Sequence, residues 1–287
     1  MTIYFKKLLE KEINRNISIA LKEDIGKGDL TANFIEKNSL SIAKIFCNEN
    51  AIFCGKAWLN KIIKKQKSLR IKWHVKDGES IQKDYCVCEI SGSTREILSI
   101  ERVCLNFIQT LSGTSTLTNQ FVNIIKKTES QIYDTRKTIP GMRFSQKYAV
   151  KVGGGSNQRL GLFDMALFKE NHFSANETFE TLLKKIKAKN LINSIQIEVE
   201  NLNQLKIALK YSVKNILLDN FSHSNIKKAI GMANKNTIFE ISGNVHQKTV
   251  LKIAKLGKLR ISIGSLTKNI QAIDFSMLIE DKKSHAT

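Results

Sequence analysis

The sequence predicts an α/β protein in two parts: a small α+β unit over roughly the first 110 residues, then strands alternating with helices as in a barrel or open parallel sheet. Three observations carry this. Five short β-rich runs in the second half recur with amphipathic stretches between them. Each run ends on a polar residue or glycine, at Lys169, Glu198, Asp219, Ser242 and Gly264, separated by 29, 21, 23 and 22 positions. The first half has a different texture, with one strictly alternating run and polar, glycine-punctuated turns.

Taken in order, residues 3–21 read as a helix, because Leu9, Ile13, Ile17 and Leu21 recur every four positions. The polar EDIGKGDLT at 23–31 reads as a loop. Residues 39–54 are strand-like, and a helix is expected from Lys56. LRIKWHV then places Leu69, Ile71, Trp73 and Val75 on one face of a strand. A KDGES turn leads to another strand near Tyr85–Ile90. The segment from Ser93 to Thr128 is helical, with a break expected at Ser112-Gly113.

Beyond it, strands are expected at 165–169, 195–200, 215–219, 237–242 and 260–264, and helices near 176–189, 202–211, 224–234 and 246–256. Strands so spaced pair in parallel through helical crossovers. The polar strand ends then gather on one rim, where barrel enzymes place their chemistry. In IQIEVE, Ile195, Ile197 and Val199 face one way and Gln196, Glu198 and Glu200 the other. A charged face on a strand covered by helices implies a cavity.

Composition bounds the function. The chain of 287 residues carries 42% hydrophobic and 25% charged residues, a globular balance. No apolar run approaches the about 18 residues that cross a bilayer, and the N-terminal sequence shows no secretory apolar region, so no membrane and a cytoplasmic location are expected. The five cysteines, Cys47, Cys54, Cys86, Cys88 and Cys104, lie mostly in apolar segments and read as buried free thiols. No HExxH or CxxC set points to a dedicated metal site. The net charge of +20 is mostly lysine, scattered from end to end, and only 8 residues are arginine. Specific base and phosphate forks favour arginine, so no nucleic-acid partner is expected. The excess positive charge would still concentrate small anions in a concave site.

The stretch IYDTRKTIPGMRFSQKYAVKVGGGSNQR holds Arg136, Arg143 and Arg159, with Arg102 upstream. Pro140, the single proline, stands beside Gly141 and fixes a turn after Asp134-Thr135-Arg136-Lys137-Thr138. Gly153-Gly154-Gly155 permits either close approach to a ligand or a left-handed backbone. Together these form a candidate cradle for carboxylates or phosphates. Among the histidines, His172 follows a strand end, His74 opposes an apolar strand face, His246 suits a helix cap or loop, and His223 and His285 carry no signal.

In these motifs the chain resembles the carboxylating nicotinate-nucleotide pyrophosphorylases, or quinolinate phosphoribosyltransferases. The resemblance runs through LKEDIGKGDLT, ERVCLNFIQTLSGTSTLT, DTRKTIPGMR, KYAVKVGGG, Asn157, Arg159, GLFD, FKENH, EVE, LLDNF, ISGN and IGSLT. It implies an α/β fold with an N-terminal α/β sandwich over residues 1–113, rejoined by 270–287, and an incomplete, open α/β barrel of TIM-like type over 114–269. It implies transfer of phosphoribose from phosphoribosyl pyrophosphate (PRPP) to quinolinate, with loss of carbon dioxide, to give nicotinate mononucleotide for NAD biosynthesis. Lys137, Lys169, Glu198 and Asp219 would be catalytic. Arg102 would reach quinolinate across a homodimer or larger homo-oligomer. Arg136, Arg159 and Lys169 would hold the two carboxylates, with Lys137 and Gln158 beside them. Glu198 and Asp219 would bind the ribose hydroxyls, and Ser242, Gly243 and Gly264 the phosphate, with Asn244 and Ile263 also substrate-binding. Mg2+ would arrive on the PRPP pyrophosphate, with no metal ligand set of the protein's own.

Two segments depart from the family pattern. Gln158 replaces a usual histidine between Asn157 and Arg159, and Lys268-Asn269 replaces a usual His-Ser. Glutamine donates a hydrogen bond but carries no charge. The alternatives are a related pyrophosphorylase of the same fold with another acceptor, found with molybdenum transport genes, salvage of nicotinate by a similar barrel, and a non-enzymatic basic binding protein.

Overall fold

The computed structural model describes residues 2–172 and 178–281, and its chain divides into two compact units. The first comprises residues 1–119, 138–154 and 266–287, the second 120–137 and 155–265. Residues 138–154, inside the span 114–269 expected for the second domain, group with the first unit.

In the first unit, α1 (Ile3–Ile25) is capped by Thr2, whose hydroxyl accepts from Phe5 N at 3.2 Å. Phe5, Leu9, Ile13 and Ile17 form its buried stripe. The helix runs four residues further than the periodicity predicts and stops at Gly26, which takes φ 57°. Strands β1 (Leu40–Cys47) and β2 (Ala51–Ile52) precede α2 (Lys56–Lys65), which buries Trp58, Leu59, Ile62 and Ile63. Then come β3 (Arg70–Trp73), β4 (Ser80–Ile81) and β5 (Tyr85–Ser93). The main sheet is antiparallel with the order β12-β1-β5-β3, and β2 pairs with β4. Its edge strand β12 (Phe275–Asp281) comes from the far end of the chain. Four of the five cysteines are buried and Cys86 is half-buried, all as free thiols.

Helix α3 (Thr94–Ile125) is continuous, so the break expected at Ser112-Gly113 does not occur. Its small residues serve close packing. A Cβ on Gly113 would collide with the Gln271 carbonyl oxygen. The Ser112 hydroxyl accepts from Cys54 N at 3.0 Å, and Ser115 donates to the Ile52 carbonyl at 2.7 Å. Gly153 is used the same way: a Cβ there would meet the Ser115 carbonyl, so this member of the glycine triplet serves packing against α3 rather than ligand approach.

The turn at Pro140-Gly141 closes with Met142 N donating to Ile139 O at 3.1 Å, and Gly141 takes φ 78°. Arg15 and Asn16 of α1 donate to the Gly141 carbonyl at 2.6 and 3.0 Å. Helix α4 (Arg143–Val152) follows. Its N-terminus is capped by buried Glu12, which accepts from Phe144 N, Ser145 N and Ser145 Oγ at 3.1, 2.7 and 2.6 Å. These bonds to α1 explain why 138–154 leaves the barrel span.

The second unit is a six-stranded parallel sheet in the order β6-β11-β10-β9-β8-β7. The strands are β6 (Gln131–Tyr133), β7 (Leu167–Phe168), β8 (Gln196–Val199), β9 (Asn215–Asp219), β10 (Ile238–Ser242) and β11 (Arg260–Ser262). Helices α5 (Phe179–Ala188), α6 (Leu202–Lys210), α7 (His223–Met232) and α8 (Gln247–Ala254) connect β7 through β11, and α9 (Ser265–Lys268) follows. The expected helix at 176–189 has its first two residues outside the described residues, as does His285. Asn201, Ser222 and Thr178 cap α6, α7 and α5 through side-chain oxygens. His246 stands at the N-cap of α8, its N–H donating to Thr249 Oγ1 at 3.1 Å. Among the described residues no helix is long and apolar enough to cross a membrane.

Candidate active site

Strand β6 runs directly into Asp134-Thr135-Arg136-Lys137. Asp134 is fully buried, and its carboxylate accepts from Asn157 Nδ2 at 2.6 Å and Gln158 N at 2.8 Å. Asp134 N donates to Ser156 O, and Ser156 N to Ile132 O. The chain at 156–159 is thereby laced along the end of β6, which carries Gln158 and Arg159 to the neighbourhood of Arg136.

Arg159 is only 8% exposed, and its Nη1 donates to the Met165 carbonyl at 2.9 Å. Burial lowers its pKa most, and repulsion from the Arg136 guanidinium lowers it further, while Glu198, Asp164 and Glu240 act the other way. The Nε atoms of both Arg136 and Arg159 are buried without a hydrogen-bond partner among the described residues. Two adjacent cations with orphaned donors form an arrangement that an anion would satisfy.

Across the sheet, Lys169 Nζ lies 2.7 Å from Glu198 Oε2, with the lysine side chain 43% exposed and the carboxylate 9%. Glu198 is thus a buried base of a pair whose ammonium end reaches outward. A hydrogen bond with Glu170, then burial and repulsion from Glu170, Asp219 and Glu198, raise the pKa of Glu200. His172 turns back on its own strand end, its Nδ1 accepting from Lys169 N at 3.0 Å.

Asp219 ends β9, and its Oδ2 accepts from Asn220 Nδ2 at 2.9 Å. Asn220 takes φ 55°, donates its N–H to the Ser242 carbonyl at 2.9 Å and accepts from Asn244 Nδ2 at 3.3 Å. Gly243, at φ 87°, lies so close that a Cβ would strike Asn220 Oδ1. The ends of β9 and β10 are therefore latched together, with Asp219 held by its neighbour. Gly264 lies against Lys137: a Cβ there would stand 3.1 Å from Lys137 Cδ. Ile263 is buried and spends its N–H on the Tyr133 carbonyl at 2.9 Å, so that N–H is not available to a phosphate. Arg102 lies exposed on α3, in the first unit.

Several residues of this region were not singled out from sequence. Asp134 organises the arginine segment, Asn220 holds Asp219, and Glu240 and Ser262 form a buried polar group with Gln196. Glu240 did leave a signal, a lone carboxylate inside the apolar run TIFEIS. Its partner Gln196 lies two strands away, a pairing that local pattern does not reveal.

Chemically, the second unit presents guanidinium groups suited to carboxylates, a lysine beside a carboxylate, and a further carboxylate, Asp219, at the end of β9 suited to hydroxyls. Comparison with known proteins gives the same direction. The chain matches the quinolinate phosphoribosyl transferase N-terminal domain over residues 29–112 and the C-terminal domain over 114–278. It is 36% identical to a probable carboxylating nicotinate-nucleotide pyrophosphorylase of Bacillus subtilis, covering 89% of each chain. It is 35% identical to the chloroplastic carboxylating nicotinate-nucleotide pyrophosphorylase of Arabidopsis thaliana, over 92% of this chain and 82% of that protein. The solved nicotinate-nucleotide pyrophosphorylase of Francisella tularensis superposes with a TM-score of 0.88 at 38% identity, covering 94% of this chain and 96% of that one. With two domain models spanning nearly the whole chain and relatives above one-third identity, this chain belongs to the quinolinate phosphoribosyltransferase family.

Proposed function

We propose that this chain joins quinolinate to PRPP and releases pyrophosphate and carbon dioxide, giving nicotinate mononucleotide. The observation that carries the reading is the pair of adjacent guanidinium groups, Arg136 and Arg159, whose buried Nε donors lack partners among the described residues. A pyridine dicarboxylate supplies the acceptors such a pair requires. Lys169 adds positive charge, balanced by Glu198 at 2.7 Å.

In this reading Arg136, Arg159 and Lys169 hold the two carboxylates, with Lys137 and Gln158 alongside. Glu198 and Asp219 take the ribose hydroxyls. Ser242, Gly243, Asn244 and Gly264 line the phosphate end. The pyridine nitrogen attacks ribose C1 as the bond to pyrophosphate breaks, its electron pair leaving with pyrophosphate. Positive charge builds on the sugar and ring, and the Glu198 and Asp219 carboxylates stabilise it. The nitrogen is then cationic, so the bond to the 2-carboxylate breaks, leaving its electron pair on the adjacent ring carbon, which takes a proton. Mg2+ carried on the pyrophosphate would neutralise the leaving group. Arg102, from the first unit, would complete the acceptor site of a partner copy in a homodimer.

The test is calorimetric titration with quinolinate and, separately, nicotinate. Binding of quinolinate at least tenfold tighter than nicotinate is expected, and its loss on replacing Arg159 with methionine. Equal affinity for the two acids would sink the dicarboxylate reading.

A further inference from the structure

A chain of buried side chains crosses the sheet beneath the strand ends. Ser262 Oγ donates to Glu240 Oε1 at 2.5 Å, Gln196 Nε2 donates to Glu240 Oε2 at 2.8 Å, and Gln158 Nε2 donates to Gln196 Oε1 at 3.1 Å. Gln196, Glu240 and Ser262 are 1%, 2% and 4% exposed. They come from β8, β10 and β11, so the chain links three strands and ends on Gln158, beside Arg159.

The direction of this chain follows from its chemistry. A carboxylate only accepts hydrogen bonds. Gln196 must therefore turn its NH2 toward Glu240, which leaves its carbonyl facing Gln158. Gln158 must in turn offer its NH2 to that carbonyl. Glutamine alone has no such preference, because its amide can be turned end for end at little cost. The polarity is imposed from Glu240, two residues away.

We infer that Glu240, acting through Gln196, is a positioning residue that fixes the amide orientation of Gln158 and so sets how that side chain meets the acceptor substrate. The inference deepens the proposed reaction and rests on it. The charge of Glu240 also acts on Arg159, and a change at Gln196 that keeps this charge separates the order of donors and acceptors from it.

That distinction gives the experiment. Glu240→Gln keeps size but removes the imposed polarity, so the amides at 158, 196 and 240 can run in either direction. The KM for quinolinate should rise about three- to tenfold, the worth of one hydrogen bond, with the KM for PRPP within about twofold of wild type. The exchange variant Gln196→Glu with Glu240→Gln moves the carboxylate one position along the chain. Gln158 must still donate to position 196, so the KM for quinolinate should return to within about twofold of wild type. Gln196→Met cuts the chain without adding charge and should raise the same KM as Glu240→Gln does.

An unchanged KM in both Glu240→Gln and Gln196→Met, in protein that melts as a folded unit, overturns the inference while leaving the proposed reaction intact. So does an exchange variant that folds but stays as impaired as Glu240→Gln. If wild type makes no product from quinolinate, the proposed reaction fails, and the relay is judged by melting alone. Gln196→Glu by itself sets two buried carboxylates together and should lower the melting temperature. Recovery in the exchange variant supports the relay, and additive losses overturn it.

Discussion

Replacing Arg136 with methionine separates the cost of the binding site from its use. In the free protein Arg136 has a buried Nε without a partner among the described residues and stands close enough to Arg159 to lower that residue's pKa. A buried unsatisfied donor costs about 1–3 kcal/mol, and methionine keeps the unbranched side chain without donor or charge. Removing the orphan and the repulsion should offset the loss of packing around the guanidinium. The free variant is therefore expected to melt at the wild-type temperature or up to about 4 °C above it, since ~1 kcal/mol is worth about 2–4 °C in a chain of this class. Binding should move the other way. Losing one partner of a desolvated charge pair costs about 2–5 kcal/mol, so quinolinate affinity should fall by roughly 30-fold to several thousandfold. Scanning fluorimetry with and without quinolinate, together with calorimetric titration, reads both quantities. A variant that melts more than about 4 °C lower, or that binds quinolinate within threefold of wild type, would refute the reasoning.

Glu198→Gln removes the carboxylate that pairs with Lys169 and would face the charged sugar; stopped-flow or steady-state assay should show kcat lower by about 100- to 1000-fold. Gly243→Ala puts a side chain at φ 87° against Asn220 Oδ1, so it should cost at least about 1 kcal/mol of stability and raise the KM for PRPP through the displaced Asp219. The raised pKa of Glu200 sets a pH dependence: a group whose folded pKa lies above its unfolded value stabilises below the unfolded value, about pH 4.3, and that contribution disappears as pH rises through the folded value. Compared with Glu200→Gln, wild type should therefore lose melting temperature as pH rises above about 4; a constant difference across the titration would contradict the raised pKa.

Much of the fold was legible because each strand of the second unit is a short apolar run bounded by polar residues. NILLD at 215–219 coincides with β9, and the other four runs contain their strands. The helix ends were less visible. Gly113 reads as a break, yet it lies within α3 because a close approach to the Gln271 carbonyl excludes any Cβ. Helix α4 was not read at all, since its start follows Pro140-Gly141 and its cap, Glu12, comes from far away in sequence. The strand-end residues Lys169, Glu198, Asp219 and Ser242 were visible as polar interruptions at regular spacing. The side chains that hold the arrangement together were not: Asn220 depends on a left-handed turn, and Glu240 on a partner two strands away. Local pattern records which residues leave the core, and it is silent about which of them meet.

The measurement that bears most directly on the proposed reaction follows products from purified protein with PRPP, Mg2+ and quinolinate labelled at its 2-carboxylate, with nicotinate as the parallel acceptor. The account predicts nicotinate mononucleotide and labelled carbon dioxide in equal amounts from quinolinate, and no nucleotide from nicotinate. A folded protein that makes no nucleotide from quinolinate, or makes it equally from nicotinate, would contradict it and direct attention to another acceptor for the Arg136–Arg159 pair.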